Sequence, residues 1–458
     1  MIRSLRMSVA TAALLAGASS AFAAVSAEEA RQLGTTLTPW GAEKAANKDG
    51  SIPAYTDGYI KPPPGWDPKN PQVRPDPFAS EKPLYEVTAS NMSRYADKLS
   101  EGTKALLQKY PDLRLDVYPT HRTQRYPAYI NERSIKNATA CKTVRNGVAL
   151  EGCYGGVPFP IPKTGNEMMW NHNLHYLAPS LVERYRNMLV DASGGLSMQS
   201  DNLLFQEFPV FYPETNGVLS PTDPYWLVLT EWTGPARMAG EKLAMTDFID
   251  PIDNRRKVWQ YLPGQRRVKL SPDLAYDTPT PSSGGAQVID DATLFLGAQD
   301  RFDFKLIGKK EMLIPYNAFG LFDEARCPES RRYQKGHPAA ECIRWELHRV
   351  WQVEATLKQG ARHVYARRVF FFDEDQPEVG TSDNYDAAGK LYRSVFGLYY
   401  PMYETPDQGT GDTVLTFDFQ TGVYLLQCDT AHGYFQPSPK RQPARAFTGD
   451  ALAAEGVR

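Results

Sequence analysis

The feature that most constrains this chain is a succession of short apolar and aromatic runs joined by tight turns. The most telling is Val258-Trp-Gln-Tyr-Leu-Pro-Gly-Gln-Arg-Arg-Val-Lys269, where an aromatic strand enters a Pro263-Gly264 turn and a basic strand returns from it. Residues 225–230, 244–249, 302–306, 345–357, 363–372, 391–398 and 414–419 continue the series. Asp386-Ala-Ala-Gly389, Lys358-Gln-Gly-Ala361 and Gln420-Thr-Gly422 read as hairpin turns, with Gly389 placed for positive φ. Strands linked by such local turns pair antiparallel. Residues 181–190 fit helix or strand, and the Ser193-Gly-Gly195 turn behind them favours strand. The expected class is mainly β (α+β), with one large antiparallel sheet and few helices. The 36 Pro, 34 Gly, 25 Tyr and 20 Phe agree with strands and turns.

Helical periodicity is clearest over residues 91–110, where Met92, Tyr95, Leu99, Leu106 and Tyr110 recur at helical spacing before Pro111. Such a helix either packs on the sheet or plugs a cavity; a gating movement is expected if it is the plug. Leu113, Leu115 and Val117 then alternate as a strand does. Residues 141–175 read as loop. His172 and His175 have helical spacing, but Trp170-Asn171 and Pro179 argue against a helix, so both are expected as hydrogen-bonded structural residues and no metal site is expected.

Arg3 and Arg6, the apolar stretch 9–18 and Ala21-Phe22-Ala23 form a signal peptide, so residues 1–23 are expected to be removed and the rest exported. The apolar stretch is too short for a membrane-spanning helix. No Cys follows it, which argues against a lipoprotein. Residues 24–85 are Pro-rich, carrying Lys61-Pro-Pro-Pro-Gly-Trp66, and should form an extended arm docked by Trp40, Tyr55, Tyr59 and Trp66. Residues 86–458 form the body. Within it Cys141 with Cys153, and Cys327 with Cys342, are spaced to close local disulfides, leaving Cys428 as a buried thiol.

At 458 residues the chain is too long for one simple compact core, which leaves two lobes or one large decorated sheet. A large sheet buries a face on a second sheet, on helices, or by curling into a half-barrel around a ligand; with few helices available, a single curled sheet with a short helical plug is the economical choice. Trp259, Tyr261, Phe302, Phe304, Trp345, Trp351, Tyr365, Phe370 and Tyr392 are candidates to line its cavity, with Phe372 and Phe396. A packed aromatic core is the alternative for each, because period two does not say which face is concave. Arg266 and Arg267 are candidates for a partner or lipid headgroup, or simply a solvated strand face.

A net charge of −2 with mixed signs excludes a nucleic-acid-binding face. No Gly-x-Ser-x-Gly elbow is present. Asp373-Glu-Asp375 with Glu378, Asp383 and Asp386 lacks the spacing of a calcium loop and reads as a solvated connection. No enzyme activity and no cofactor are expected.

Leu37-Thr-Pro-Trp-Gly-Ala-Glu-Lys44, Gly156-Val-Pro-Phe-Pro160, Trp170-Asn-His172, the 259–268 hairpin, Ile314-Pro-Tyr-Asn317 and residues 344–351 occur in order. Together they resemble a family of exported proteobacterial proteins, the domain of unknown function thirteen twenty-nine, itself similar to LolA-like outer-membrane lipoprotein-sorting proteins. The resemblance implies a LolA-like half-barrel and a periplasmic carrier of lipid or other hydrophobic cargo. It implies work beside an RND-type exporter and an outer-membrane partner, in transfer between the two membranes. A non-enzymatic adaptor holding a protein segment in the groove is the alternative.

Overall fold

In the computed structural model, the described residues are 25–71, 73–405, 409–411 and 413–455. The signal peptide expected over residues 1–23 lies outside them. Their strands are β1 (Tyr85–Thr88), β2 (Arg114–Val117), β3 (Lys142–Val144), β4 (Ala149–Glu151), β5 (Ser180–Val190) and β6 (Leu196–Glu207). Next come β7 (Pro224–Gly234), β8 (Lys242–Phe248), β9 (Lys257–Leu262), β10 (Arg267–Leu270), β11 (Phe302–Pro315) and β12 (Arg344–Leu357). The last are β13 (Arg367–Asp373), β14 (Gly380–Tyr385), β15 (Leu391–Gly397), β16 (Val414–Asp418) and β17 (Tyr424–Pro437).

Fifteen strands form one sheet in the order β1-β2-β12-β13-β14-β15-β16-β17-β5-β6-β7-β8-β9-β10, with β11 also paired to β12. Apart from the parallel β2–β12 contact, each of its described pairings is antiparallel. The path is open, ending on β1 and β10. Local turns explain most of this order: Gly360, Gly389 and Gly422 all adopt positive φ between consecutive antiparallel strands. The Pro263–Gln265 turn joins β9 to β10 and ends on Arg266 in the left-handed region.

Among the described residues the arm has no helix or strand between Ala30 and Tyr85, yet it is part of the core. Trp40, Ile52 and Ile60 are buried, and Trp40 meets Tyr126 edge-on at 4.8 Å between ring centroids. Trp66 packs against Tyr403, and Arg74 pairs with Glu404 at 2.6 Å.

Three local expectations need correction. The helix expected over 91–110 is broken: a 3-10 segment covers Met92–Lys98, and an α-helix covers Glu101–Lys109. Ser100 caps the second by accepting the Thr103 N–H at 3.1 Å, so a capping residue divides a continuous apolar period. The loop expected over 141–175 contains the β3–β4 hairpin and a helix at Gly165–Asn173. That helix starts on a capping box, in which Thr164 accepts the Glu167 N–H and Glu167 accepts the Thr164 N–H.

The acidic connection is the third. Asp373, Glu374, Asp375, Glu378 and Asp383 are buried; cations converge on the first three, while Asp383 accepts from the Gly102 N–H and the Ser394 hydroxyl at 2.9 and 2.7 Å. Arg122 donates to both oxygens of Asp375 at 2.7 and 2.9 Å. Lys309 and Arg349 meet Glu374 at 2.7 and 3.1 Å. His348 lies 3.2 Å from both Glu346 and Asp373.

Both expected disulfides, Cys141–Cys153 and Cys327–Cys342, are formed. Among the described residues no helix is long and apolar enough to cross a membrane.

Candidate ligand-binding site

Alternation along β7 builds the floor of the site. Trp226, Val228, Thr230 and Trp232 point to one face and line a cavity of about 130 Å³. Their cross-strand partners extend the same face: Thr230 pairs with Leu204 and Leu243, while Val228 pairs with Met245, itself opposite Val258. Tyr185 and Asn187 of β5, with Gln427 and Cys428 of β17, complete the wall. A bulge between Leu426 and Asp429, with Cys428 at positive φ, brings the two β17 residues to one side. From β17 to β9 there are five strand spacings, roughly 24 Å if the sheet were flat. Both ends touch one small cavity, so this half of the sheet is curled.

The cover is the irregular segment from Leu274 to Leu296, which contributes Leu274, Ile289, Ala292 and Leu296. One end of it is fixed by buried charge. Arg368, fully buried, meets Asp290 at 3.0 Å and Asp291 at 2.9 Å, and it donates to the Leu294 carbonyl at 3.0 Å. Tyr365 donates to Asp291 at 2.6 Å, and His363 lies 3.0 Å from Asp290. Burial opposes ionisation of both acids; Arg368 and His363 overcome it for Asp290, which falls below the usual carboxylate range. Burial and the Asp290 charge push Asp291 above that range. His172 adds a second anchor, its ring nitrogens 2.8 and 2.9 Å from the carbonyls of Phe295 and Pro377. The tip is tethered as well, by buried Arg393 donating to the Gly285 carbonyl at 2.9 Å, while Asn187 donates to Ser282 and Gln427 to Ala292.

The described lining carries no Asp, Glu, His, Lys or Arg. Its polar atoms are nevertheless distinctive. Trp232 Nε1, Asn202 Oδ1, Thr280 Oγ1 and Gln427 Oε1 are buried without a hydrogen-bond partner among the described residues. Buried polar groups are normally satisfied, so an apolar cavity with a few convergent open polar atoms is what a small-molecule site requires.

None of the nine residues proposed from sequence is among those lining this cavity. Trp259 and Tyr261 neighbour Val258 but point to the opposite face, where they cluster with Leu452 of the C-terminal helix. Phe302, Phe304, Trp351 and Phe370, with Phe372, gather in a packed cluster behind the cover, against Leu294 and Phe295. Trp345 and Phe396 pack near the Glu101–Lys109 helix, where a space of only about 30 Å³ remains. That helix contributes nothing to the larger cavity, so it is not its plug. It approaches β15 so closely that a Cβ on Gly102 would lie 1.8 Å from Ser394 Oγ. Tyr365 anchors the cover, and Tyr392 packs against Tyr365 and under Arg393. Arg266 and Arg267 are exposed at β10, the sheet's edge, where charges discourage further strand pairing.

His348, Asp373 and Asp375 place donor atoms within 4.8 Å of one another, a spacing that suits a metal ion. The donors are committed elsewhere: Asp375 to Arg122, and both His348 nitrogens to carboxylates. Burial opposes a charged ring, but Asp373 and Glu346 hold His348 up at about 9, so an imidazolium supplies the positive charge.

The profile of a protein family of unknown function, DUF1329, matches residues 86–453. An uncharacterized protein of Pseudomonas aeruginosa is 39% identical over 448 residues, covering 96% of each chain. Among solved structures, one from Vibrio parahaemolyticus, described as an outer membrane lipoprotein-sorting protein domain, is similar at a TM-score of 0.40 and 14% identity. The match covers 60% of this chain and 91% of that one. A LolA superfamily protein from Nitrosomonas europaea is similar at a TM-score of 0.38 and 9% identity, over 63% of this chain and 100% of that one.

Proposed function

The chain belongs to DUF1329, a family of proteins of unknown function, and we propose that it is a non-enzymatic carrier that buries an apolar molecule between its curled sheet and the 274–296 cover. The observation that supports this most is the aligned face of Trp226, Val228, Leu204, Met245 and Val258, covered by a segment whose one described regular element is the 3-10 turn Ile289–Asp291. Uptake is driven by removal of apolar surface from water, roughly 25 cal/mol per Å². At about 130 Å³ the cavity is close to the ~150 Å³ that admits benzene. A longer cargo therefore enters only when the cover moves. Its ion-paired end at Asp290 and Asp291 is the fixed end, the Arg393 bond to Gly285 is a second tether, and the limb carrying Leu274 and Pro281 is the part that lifts.

The signal peptide expected over residues 1–23 supports a periplasmic location for this carrier. The proposed route runs between the inner and outer membranes, with an RND-type exporter and an outer-membrane partner as donor and acceptor. Native mass spectrometry with extraction of bound lipid, on protein purified from the periplasm, tests the reading. A stoichiometric apolar adduct is expected. An empty protein that co-purifies with a membrane partner would replace the carrier by an adaptor.

A further inference from the structure

Beside the apolar cavity lies a larger and more polar one of about 380 Å³, and Leu296 lines both. A narrow space of about 20 Å³ lies against both, lined by Tyr225 from the polar side, Trp226 from the apolar side, and Leu296. Consecutive strand residues normally face opposite ways. Here a register shift between Pro224 and Trp226 leaves Tyr225 bulged, and both side chains reach the same passage.

Arg256 is the centre of the polar pocket. Its side chain is 10% exposed, and its Nε and Nη2 donate to the two oxygens of Asp247 at 2.7 and 2.6 Å. Its Nη1 is buried with no hydrogen-bond partner among the described residues. A buried guanidinium with one open donor is costly unless something accepts from it. Gly297 leaves the room for that acceptor, since a Cβ there would lie 3.0 Å from Nη2 and 3.7 Å from Nη1. Arg255 and Arg301 also line the pocket. Its acids are already engaged: Asp247 by Arg256, and Asp300 by the Tyr276 hydroxyl at 3.0 Å.

We propose that this pocket is the head-group half of the site, and that the cargo is an anionic amphiphile. A carboxylate or phosphate oxygen accepts from Arg256 Nη1, and the apolar tail passes Leu296 into the cavity under Trp226. This rests on the carrier reading.

Calorimetric titration of the disulfide-intact chain with palmitate, hexadecanol and inorganic phosphate tests it. Palmitate is expected to bind about tenfold or more tightly than hexadecanol, the scale of a charge-assisted hydrogen bond. Exposed Arg255→Glu, which should fold normally, and Arg256→Gln are expected to reduce that preference, read as the ratio of the hexadecanol to the palmitate dissociation constant. Equal binding of palmitate and hexadecanol, or a preference that survives both substitutions, overturns the head-group assignment and leaves the carrier reading standing. Binding of neither overturns both. Binding of phosphate without palmitate marks a free-anion site and overturns the amphiphile.

Discussion

Replacing Arg368 by Met should loosen the cover more than any substitution within the cavity itself. The guanidinium is fully buried and faces two carboxylates, Asp290 at 3.0 Å and Asp291 at 2.9 Å, while its Nε donates to Asn384 at 2.7 Å. Methionine fills similar space but leaves both acids buried beside fewer cations. Removing one partner of a buried pair typically costs about 3–5 kcal/mol, mostly because the remaining charge has lost its counter-charge. Urea unfolding of Arg368→Met should show that loss. Adding Asp290→Asn and Asp291→Asn to the same chain should recover much of it, since the stranded charges are then gone. Ligand release, followed by stopped-flow displacement, should be faster in the single variant than in the wild type. A loss below about 1 kcal/mol, or no recovery in the triple variant, would refute the claim that buried charge fixes this end of the cover.

Trp40→Ala should cost about 3 kcal/mol, because Trp40 is 6% exposed and packs between Tyr55 and Tyr126; a change under about 0.5 kcal/mol in unfolding free energy would mean that the arm only rests on the surface. His348 is held at about 9 by Asp373 and Glu346 against the opposing effect of burial. Its folded value lies above the unfolded one of about 6.5, so its contribution, on the order of 3 kcal/mol, is complete below pH 6.5 and fades as pH rises through 9. Denaturation midpoints at pH 6, 8 and 9.5 check the direction, and His348→Gln should remove this pH dependence. Replacing Cys141 and Cys153 by Ser should cost up to about 3 kcal/mol, the scale for a loop of this length, read as a lower urea midpoint.

Much of the sheet could be read from residues in order. β7, β9, β12 and β16 are visible as alternating or aromatic runs, the turns at Gly389 and Gly422 are where hairpins were expected, and Gly389 has the positive φ expected of it. The cavity was not legible, because facing depends on parity alone. Val258 lines the cavity while Trp259, one residue on, packs with Leu452 on the opposite face. The strand at 225–230 was found, but the row Trp226, Val228, Thr230, Trp232 gives no sign of concavity until its neighbours curl. The acidic connection misled for a different reason: Arg122, the cation that neutralises Asp375, is 253 residues away in sequence. Two missed boundaries did carry local signals, Ser100 as a helix cap and Thr164 with Glu167 as a capping box.

The most direct test of the carrier account is native mass spectrometry of the wild type beside Val228→Trp, a substitution that fills the cavity floor. Overpacking of this kind costs about 1–3 kcal/mol, so the variant's fold is verified by circular dichroism. The account predicts a bound apolar adduct in the wild type and its loss from the folded variant. The same adduct retained at the same occupancy in both would show that this cavity does not hold the cargo.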